Sequence, residues 1–464
     1  MWTWTGCHGA ADAGFFASRT SQVDRFRAVK SGLNRQEKAW SLTEAANEPY
    51  FNLVQRYVFA PYFAGTLAAT PAEGASLWGY ALGAAGFGIA VLAPTLGSIA
   101  DSGARLKPWL AGAGLVTFLA SAGLWFAAPG SPILLAAFLV FVAGISVELM
   151  NQFSNAFLPV SSRPEKMGLL SGLSFAFSQI AGLAVLLLVL AASEAPPAFL
   201  ADVPNGVDRL AGPIAAGAVV LFLTPFLLVG RDRTAAQGAS VSQGLSDLKA
   251  TLAEAWADRN MRLFLIARMI SADGMAVVFG FGAVLGAAAF GWEAGTLARF
   301  GLIITVFGVI GGFSGGFLDA RFGTKRVTLT GLLLMAFGTA SVLLTDATHL
   351  LGIPTGVPLS TPLATPQEWG YLASGAVIAV GAAFTVSAMR TMLAQLAPQT
   401  KIAAYFGLYS FVGKATAFVG PMLVGVISAA TGSVRPGIAL ALFFLLAGAA
   451  CLWGVRAPPI RQVA

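Results

Sequence analysis

The chain has 464 residues, of which 56% are hydrophobic and only 11% charged. Soluble domains carry about 25% charged residues, so this composition excludes an ordinary soluble protein, which would expose large sticky patches. Two cysteines (Cys7, Cys451) and two unclustered histidines (His8, His349) supply neither a disulfide framework nor a metal-ligand set, and the net charge of +7 is explained below by topology rather than by nucleic acid.

Residues 1–40 hold Arg19, Arg25, Arg27, Lys30, Arg35 and Lys38 and no apolar run, so they read as a disordered cytoplasmic tail rather than a signal peptide. Roughly 20 apolar helical residues cross a bilayer. Spans are expected near 42–68, 76–100, 108–128, 132–158, 166–192 and 211–230, forming one six-helix bundle over residues 41–230. The uncharged stretch 108–147 is too long for one span, and Ala128-Pro129-Gly130-Ser131-Pro132 splits it with a turn. Residues 231–261 form a linker. Leu245, Leu248 and Leu252 have helical spacing there, which suggests an amphipathic helix on the inner membrane surface, with a plain solvated linker as the alternative. A second bundle over 262–456 has spans near 262–289, 297–318, 326–345, 369–396, 402–429 and 436–455, followed by a tail at 457–464. The fold class is therefore an all-α membrane protein of twelve transmembrane helices in two pseudo-symmetric bundles.

Charge distribution sets the orientation. With the N-terminus inside, the inner segments collect Arg105, Lys107, Arg163, Lys166, Arg231, Arg233, Lys249, Arg259, Arg321, Lys325, Arg326, Lys401 and Arg456. The outer loops hold only Arg209, Arg299 and Arg435, so both termini are expected in the cytoplasm.

Charges inside spans cost at least ~2.5–3.5 kcal/mol each when they face lipid. Four acids (Glu44, Glu48, Glu148, Asp273) balance four bases (Arg56, Arg268, Arg390, Lys414), which argues for pairing inside the bundle. Span 1 opens with a Ser41-x-x-Glu44 capping-box pattern, and Pro49 should kink it. Its polar stripe contains Glu48, Asn52 and Arg56. Span 4 repeats the design with Glu148, Asn151, Gln152 and Asn155 on one face, span 7 carries Arg268 and Asp273, and span 10 carries Arg390. These are the first helices of a three-helix repeat, where a central cavity would be built. Lys414 in span 11 is either a structural or a functional lysine. Its depth, about 11 or 12 residues or roughly 17 Å, matches that of Asp273 and suggests that the two pair. Gly308, Gly312 and Gly316, with Gly311 and Gly315, read as close-packing surfaces in span 8.

Two loops share a Gly-x-x-x-Asp pattern with basic residues after it, at 97–107 and 315–326. They resemble the inner-loop signature of the major facilitator superfamily. The resemblance implies a conformational latch on Asp101, Arg105, Asp319, Arg321 and Lys325, with Ser102 departing from the usual basic residue. Phe406-Gly407-Leu408-Tyr409, Gly413-Lys414-Ala415-Thr416-Ala417-Phe418, Asn155-Ala156-Phe157-Leu158-Pro159 and Ala267-Arg268 with Asp273-Gly274 resemble the vacuole-effluxer, autophagy-related branch of that superfamily. Trp40-Ser41-Leu42-Thr43-Glu44-Ala45-Ala46-Asn47 is similar to its opening motif, with Thr43, Glu44 and Ala45 departing. That branch is associated with amino-acid efflux.

The expectation is a secondary transporter in the cell membrane that moves a small polar solute by alternating access. It would work without cofactor, metal or enzymatic step, and its partners would be the solute, coupling protons or ions and membrane lipids. The rivals are a sensor or scaffold that has lost transport, or a membrane-embedded enzyme.

Overall fold

In a computed structural model, the described residues are 33–101, 105–157, 161, 167–232, 241–398 and 401–456. The expected N-terminal and C-terminal tails lie outside them for residues 1–32 and 457–464. Among the described residues, ten helices are long and apolar enough to cross a membrane.

Span 1 is not one regular helix. A helix at Arg35–Ser41 is followed by a 3-10 turn at Glu44–Ala46, π-helix at Tyr50–Tyr57, a turn of α-helix at Phe59–Tyr62 and π-helix again at Phe63–Leu67. The expected Ser41–Glu44 capping box does not form. Asn34 and Glu37 make the reciprocal pair about two turns earlier, where the first helix begins, and the Ser41 hydroxyl instead donates to the Lys38 carbonyl at its end. Pro49 precedes the first π stretch, and wide π turns of this kind concentrate at functional sites.

Spans 2 to 6 are Pro71–Asp101, Lys107–Gly123, Ile133–Ala156, Met167–Glu194 and Ala211–Val229. The turn between spans 3 and 4 holds Gly130 at φ +87, a conformation that only glycine adopts freely. The linker helix Val241–Ala257 packs on spans 2, 7 and 11, and Lys401 Nζ reaches Glu254 Oε2 at 2.6 Å. Spans 7 to 10 are Arg259–Phe290, Ala294–Phe322, Thr324–Leu343 and Pro366–Leu396. Asp258 caps span 7, and Thr365 with Glu368 forms a capping box on span 10. A hairpin of β1 (His349–Leu350) and β2 (Ile353–Pro354) lies between spans 9 and 10. Span 11 is broken into Ile402–Ala415 and Val419–Thr431, and span 12 is Val434–Trp453.

The two bundles meet where span 2 packs on the second half of span 11, and span 5 on span 8. The first seam is built on glycine. A Cβ on Gly79 would lie 2.5 Å from the Pro421 carbonyl, and one on Gly86 would lie 2.9 Å from Phe418 Cβ. Span 8 behaves differently from expectation. Gly311 and Gly315 pack against Val380 and Phe384 of span 10, but Gly308 and Gly312 have nothing within 4 Å of a Cβ. The four-residue spacing put both rows on a packed face; Gly311 and Gly315 have neighbours, Gly308 and Gly312 do not, and the surroundings of Gly316 lie outside the described set.

We call the face bearing the first helix, the linker helix and Arg456 the terminus face. Toward the opposite face the bundles are joined by Arg299–Glu194 at 2.6 Å, by Phe87 edge-on to Phe418 and by Tyr57 against Phe300 and Gly301.

Candidate functional site

The polar residues of spans 1, 4, 7 and 11 form three local groups. In the first, the π segment of span 1 puts Glu48, Asn52 and Arg56 side by side. Arg56 Nη1 donates to Glu48 Oε1 at 3.0 Å and to Asn52 Oδ1 at 2.9 Å. The guanidinium also sits over Phe51, 5.7 Å from its centroid, and over Phe279 of span 7, at 5.6 Å, so an aromatic of the other bundle covers it. Asn52 is buried and its Nδ2 has no partner. Gly182 of span 5 lets this asparagine approach, since a Cβ there would meet Nδ2 at 2.5 Å.

In the second group, Lys414 Nζ lies 2.5 Å from Glu148 Oε2, joining span 11 to span 4 across the two bundles. The expected Lys414–Asp273 pair is not made. Equal depth was the reason for expecting it, but Asp273 points into the break of span 11, whereas Lys414 leaves the other side of its helix end toward span 4. Both side chains of the observed pair keep about a third of their exposure, 34% and 29%. Beyond Glu148 on span 4, Asn155 Nδ2 donates to Asn151 Oδ1 at 3.2 Å.

The third group is on span 7. Asp273 is 4% exposed, and Oδ1 accepts from the Gly420 N–H at 3.4 Å, so it caps the second half of span 11. Gly420 allows that approach, since a Cβ on it would lie 2.8 Å from the Asp273 carbonyl. Arg268 lies over Tyr409, 4.7 Å from the ring centroid, and Tyr409 stacks on Phe264. Its Nε and Nη1 are buried without a hydrogen-bond partner. Among the described residues, no carboxylate pairs with Arg268 and no cation pairs with Asp273. Arg390 is exposed and lies within electrostatic reach of Glu44.

The residues of the latch are placed as follows. Asp101 ends span 2, and its side chain lies outside the described set; Arg105 is exposed. Lys325 Nζ donates to the Trp453 carbonyl at 2.7 Å, and Arg321 lies over Phe322. Asp319 Oδ1 is buried without a partner. Among the described residues, no ion pair joins Asp319 to these bases.

Sequence reasoning missed Phe279, Tyr409, Gly182 and the break at 416–418. Gly420-Pro421 was the available signal for the break. It also missed a cavity of about 610 Å³ toward the opposite face, whose lining includes Ser193, Asn205, Asp208 and Glu293.

Comparisons with known proteins agree with this architecture. The family model described as vacuole effluxer Atg22 like matches residues 165–459. A 434-residue match, 24% identical, covers 89% of this chain and 93% of an uncharacterized MFS-type transporter, YxiO, of Bacillus subtilis. Autophagy-related protein 22-1 of Aspergillus niger is 26% identical over 189 residues, 40% of this chain, and that match spans only 30% of the fungal protein's length. Among solved structures, a variant of the nucleoside transporter NupG superposes with TM-score 0.66 at 13% identity, covering 91% of this chain and 100% of that one. The D-xylose-proton symporter follows at TM-score 0.65 and 14% identity, covering 92% and 98%. These two likenesses carry the fold alone. This is a multi-pass membrane transporter of the major facilitator type, and the chain belongs to the vacuole effluxer Atg22-like family.

Proposed function

We propose that the protein is a secondary active transporter that moves a small zwitterionic solute, an amino acid or a close relative, by alternating access. Its terminus face would lie in the cytoplasm and the protein in the cell membrane. One observation carries this reading: span 7 holds a cation and an anion that have no ion-pair partner among the described residues. Buried donors without acceptors cost of the order of 1–3 kcal/mol each, more when charged. Arg268 bears two such donors. Five residues on, about 7.5 Å along the helix axis, Asp273 is buried beside the break of span 11, with the Gly420 N–H at 3.4 Å and the Thr416 hydroxyl near its carboxylate, and no cation pairs with it among the described residues. Both side chains turn toward span 11, Arg268 against Tyr409 and Gly413 and Asp273 against Gly420, so an α-amino-acid head group held there would meet one at each end. The carboxylate would take Arg268 and the ammonium Asp273.

The bundles' contacts toward the opposite face, with the Lys414–Glu148 pair at mid-depth, support a state closed on that face. Reopening there would require the pair and the glycine seam to part. The chain carries no nucleotide-binding loop, so the drive is an ion gradient or the solute's own gradient.

The test is a thermal-shift screen of the purified protein against amino acids, sugars and nucleosides, followed by counterflow in proteoliposomes with whatever binds. A ligand at 100 times its Kd stabilises by about 2.7 kcal/mol through mass action. Amino acids should shift the melting temperature and exchange, and Arg268→Gln should abolish both effects. A shift with sugars or nucleosides alone, or binding without counterflow, overturns the proposal.

A further inference from the structure

Spans 3 and 4 leave a groove of about 420 Å³ on the outer surface of the first bundle, near the terminus face. Its walls include Trp109, Gly112, Val116, Phe141, Ile145 and Phe153. At roughly 30 Å³ per group, a water's share of liquid volume, it holds about a dozen methylenes. Trp109 and Phe153, with ring centroids 6.3 Å apart, close the end nearest the terminus face. The floor is open at Gly112, where a Cβ would meet nothing within 4 Å.

Just beyond that closed end lies a basic cluster. Asp232 accepts from the backbone N–H groups of Leu106, at 3.0 Å, and Lys107, at 3.3 Å. Lys107 Nζ donates to the Gly230 carbonyl at 2.8 Å. These bonds tie the end of span 6 to the start of span 3 and bring Arg105 and Arg231, both exposed, to the same edge. Arg105, Lys107 and Arg231 outnumber Asp232, so the edge is net positive. An indole at the membrane interface with bases beyond it and an apolar slot below it matches an amphiphile of one geometry.

We propose that this groove binds one anionic phospholipid, with an acyl chain along spans 3 and 4 and its phosphate at Arg105 and Arg231. The site is independent of the solute site, because none of its residues belongs to the groups on spans 1, 4, 7 and 11 that face the solute.

The experiment uses the full-length protein in vesicles containing brominated lipids, with Trp109→Phe subtracted to isolate the Trp109 fluorescence. Brominated phosphatidylglycerol should quench Trp109 at a severalfold lower mole fraction than brominated phosphatidylcholine does. Gly112→Leu, whose Cβ has open space, puts a side chain into the groove and should erase that preference. The Arg105→Gln/Arg231→Gln pair should bring phosphatidylglycerol to the phosphatidylcholine level. Equal quenching by the two lipids in the unaltered protein overturns the site. A preference that survives the double arginine change overturns the headgroup assignment, and one that survives Gly112→Leu overturns the chain assignment.

Discussion

Replacing Lys414 by alanine should destabilise the protein more than the lost contact suggests, because Glu148 is left partly desolvated. At 2.5 Å the pair attracts by roughly 2 kcal/mol in a water-like medium and about four times that at an effective permittivity of ~20. About a third of each side chain is exposed. That exposure moves the interaction toward the lower figure, and desolvation subtracts from it. The single variants Lys414→Ala and Glu148→Ala should each cost about 1–3 kcal/mol, between the values for exposed and buried pairs. The double variant should recover about 1–2 kcal/mol of the summed loss. Apparent melting temperatures of the purified proteins, taken at one scan rate in one detergent, give the cycle. The Lys414→Ala/Asp273→Ala cycle should show coupling near zero. Strict additivity for Lys414 with Glu148, or strong coupling of Lys414 to Asp273, would refute the assignment.

Gly79→Leu should lower stability by about 1–3 kcal/mol, since the neighbours at 2.5 to 2.9 Å are the Pro421 carbonyl and the Gly425 backbone and neither can rotate away; an unchanged melting temperature refutes the seam. Asp346 lies in the loop after span 9. Burial alone would raise its carboxyl pKa, but hydrogen bonds from Thr348 and His349 outweigh this and hold it below the ordinary range. A depressed folded value means stability that is present above the unfolded pKa of about 3.9 and lost as pH falls through the folded one. Asp346→Asn should therefore speed amide exchange of residues 348–355 at neutral pH, and the difference from the unaltered protein should vanish in strong acid.

Helix positions were legible because apolar length and loop charge are local properties. Span 4, expected at 132–158, forms at Ile133–Ala156, and the turn at Gly130 divides spans 3 and 4 as the Pro-Gly signal implied. Span 1 was not legible. It switches between α, 3-10 and π turns, so no single period marks it, and the Ser41-x-x-Glu44 pattern sat at a helix end rather than a start. The break in span 11 had a signal in Gly420-Pro421, but the apolar run on either side of it read as one continuous span at 402–429. Pro421 cannot continue a regular helix past the Ala417 carbonyl, and Asp273, from another helix, caps the second half at Gly420. Lys414's partner was missed for a related reason: depth along a span is written in the sequence, but the direction in which a side chain leaves its helix toward a neighbour is set by packing.

The interruption at 416–418 has a mechanical consequence. Val419–Thr431 is clamped to span 2, whereas Ile402–Ala415 ends in a charge that crosses to span 4. At 1.5 Å per residue the 14-residue first half is a lever about 20 Å long, so a swing of roughly 15° moves its tip by about 5 Å. That is the width of a small solute. In the proposed transport cycle, that width would be gained by pivoting half of one helix while the half clamped to span 2 stays in place, without moving either bundle as a whole body.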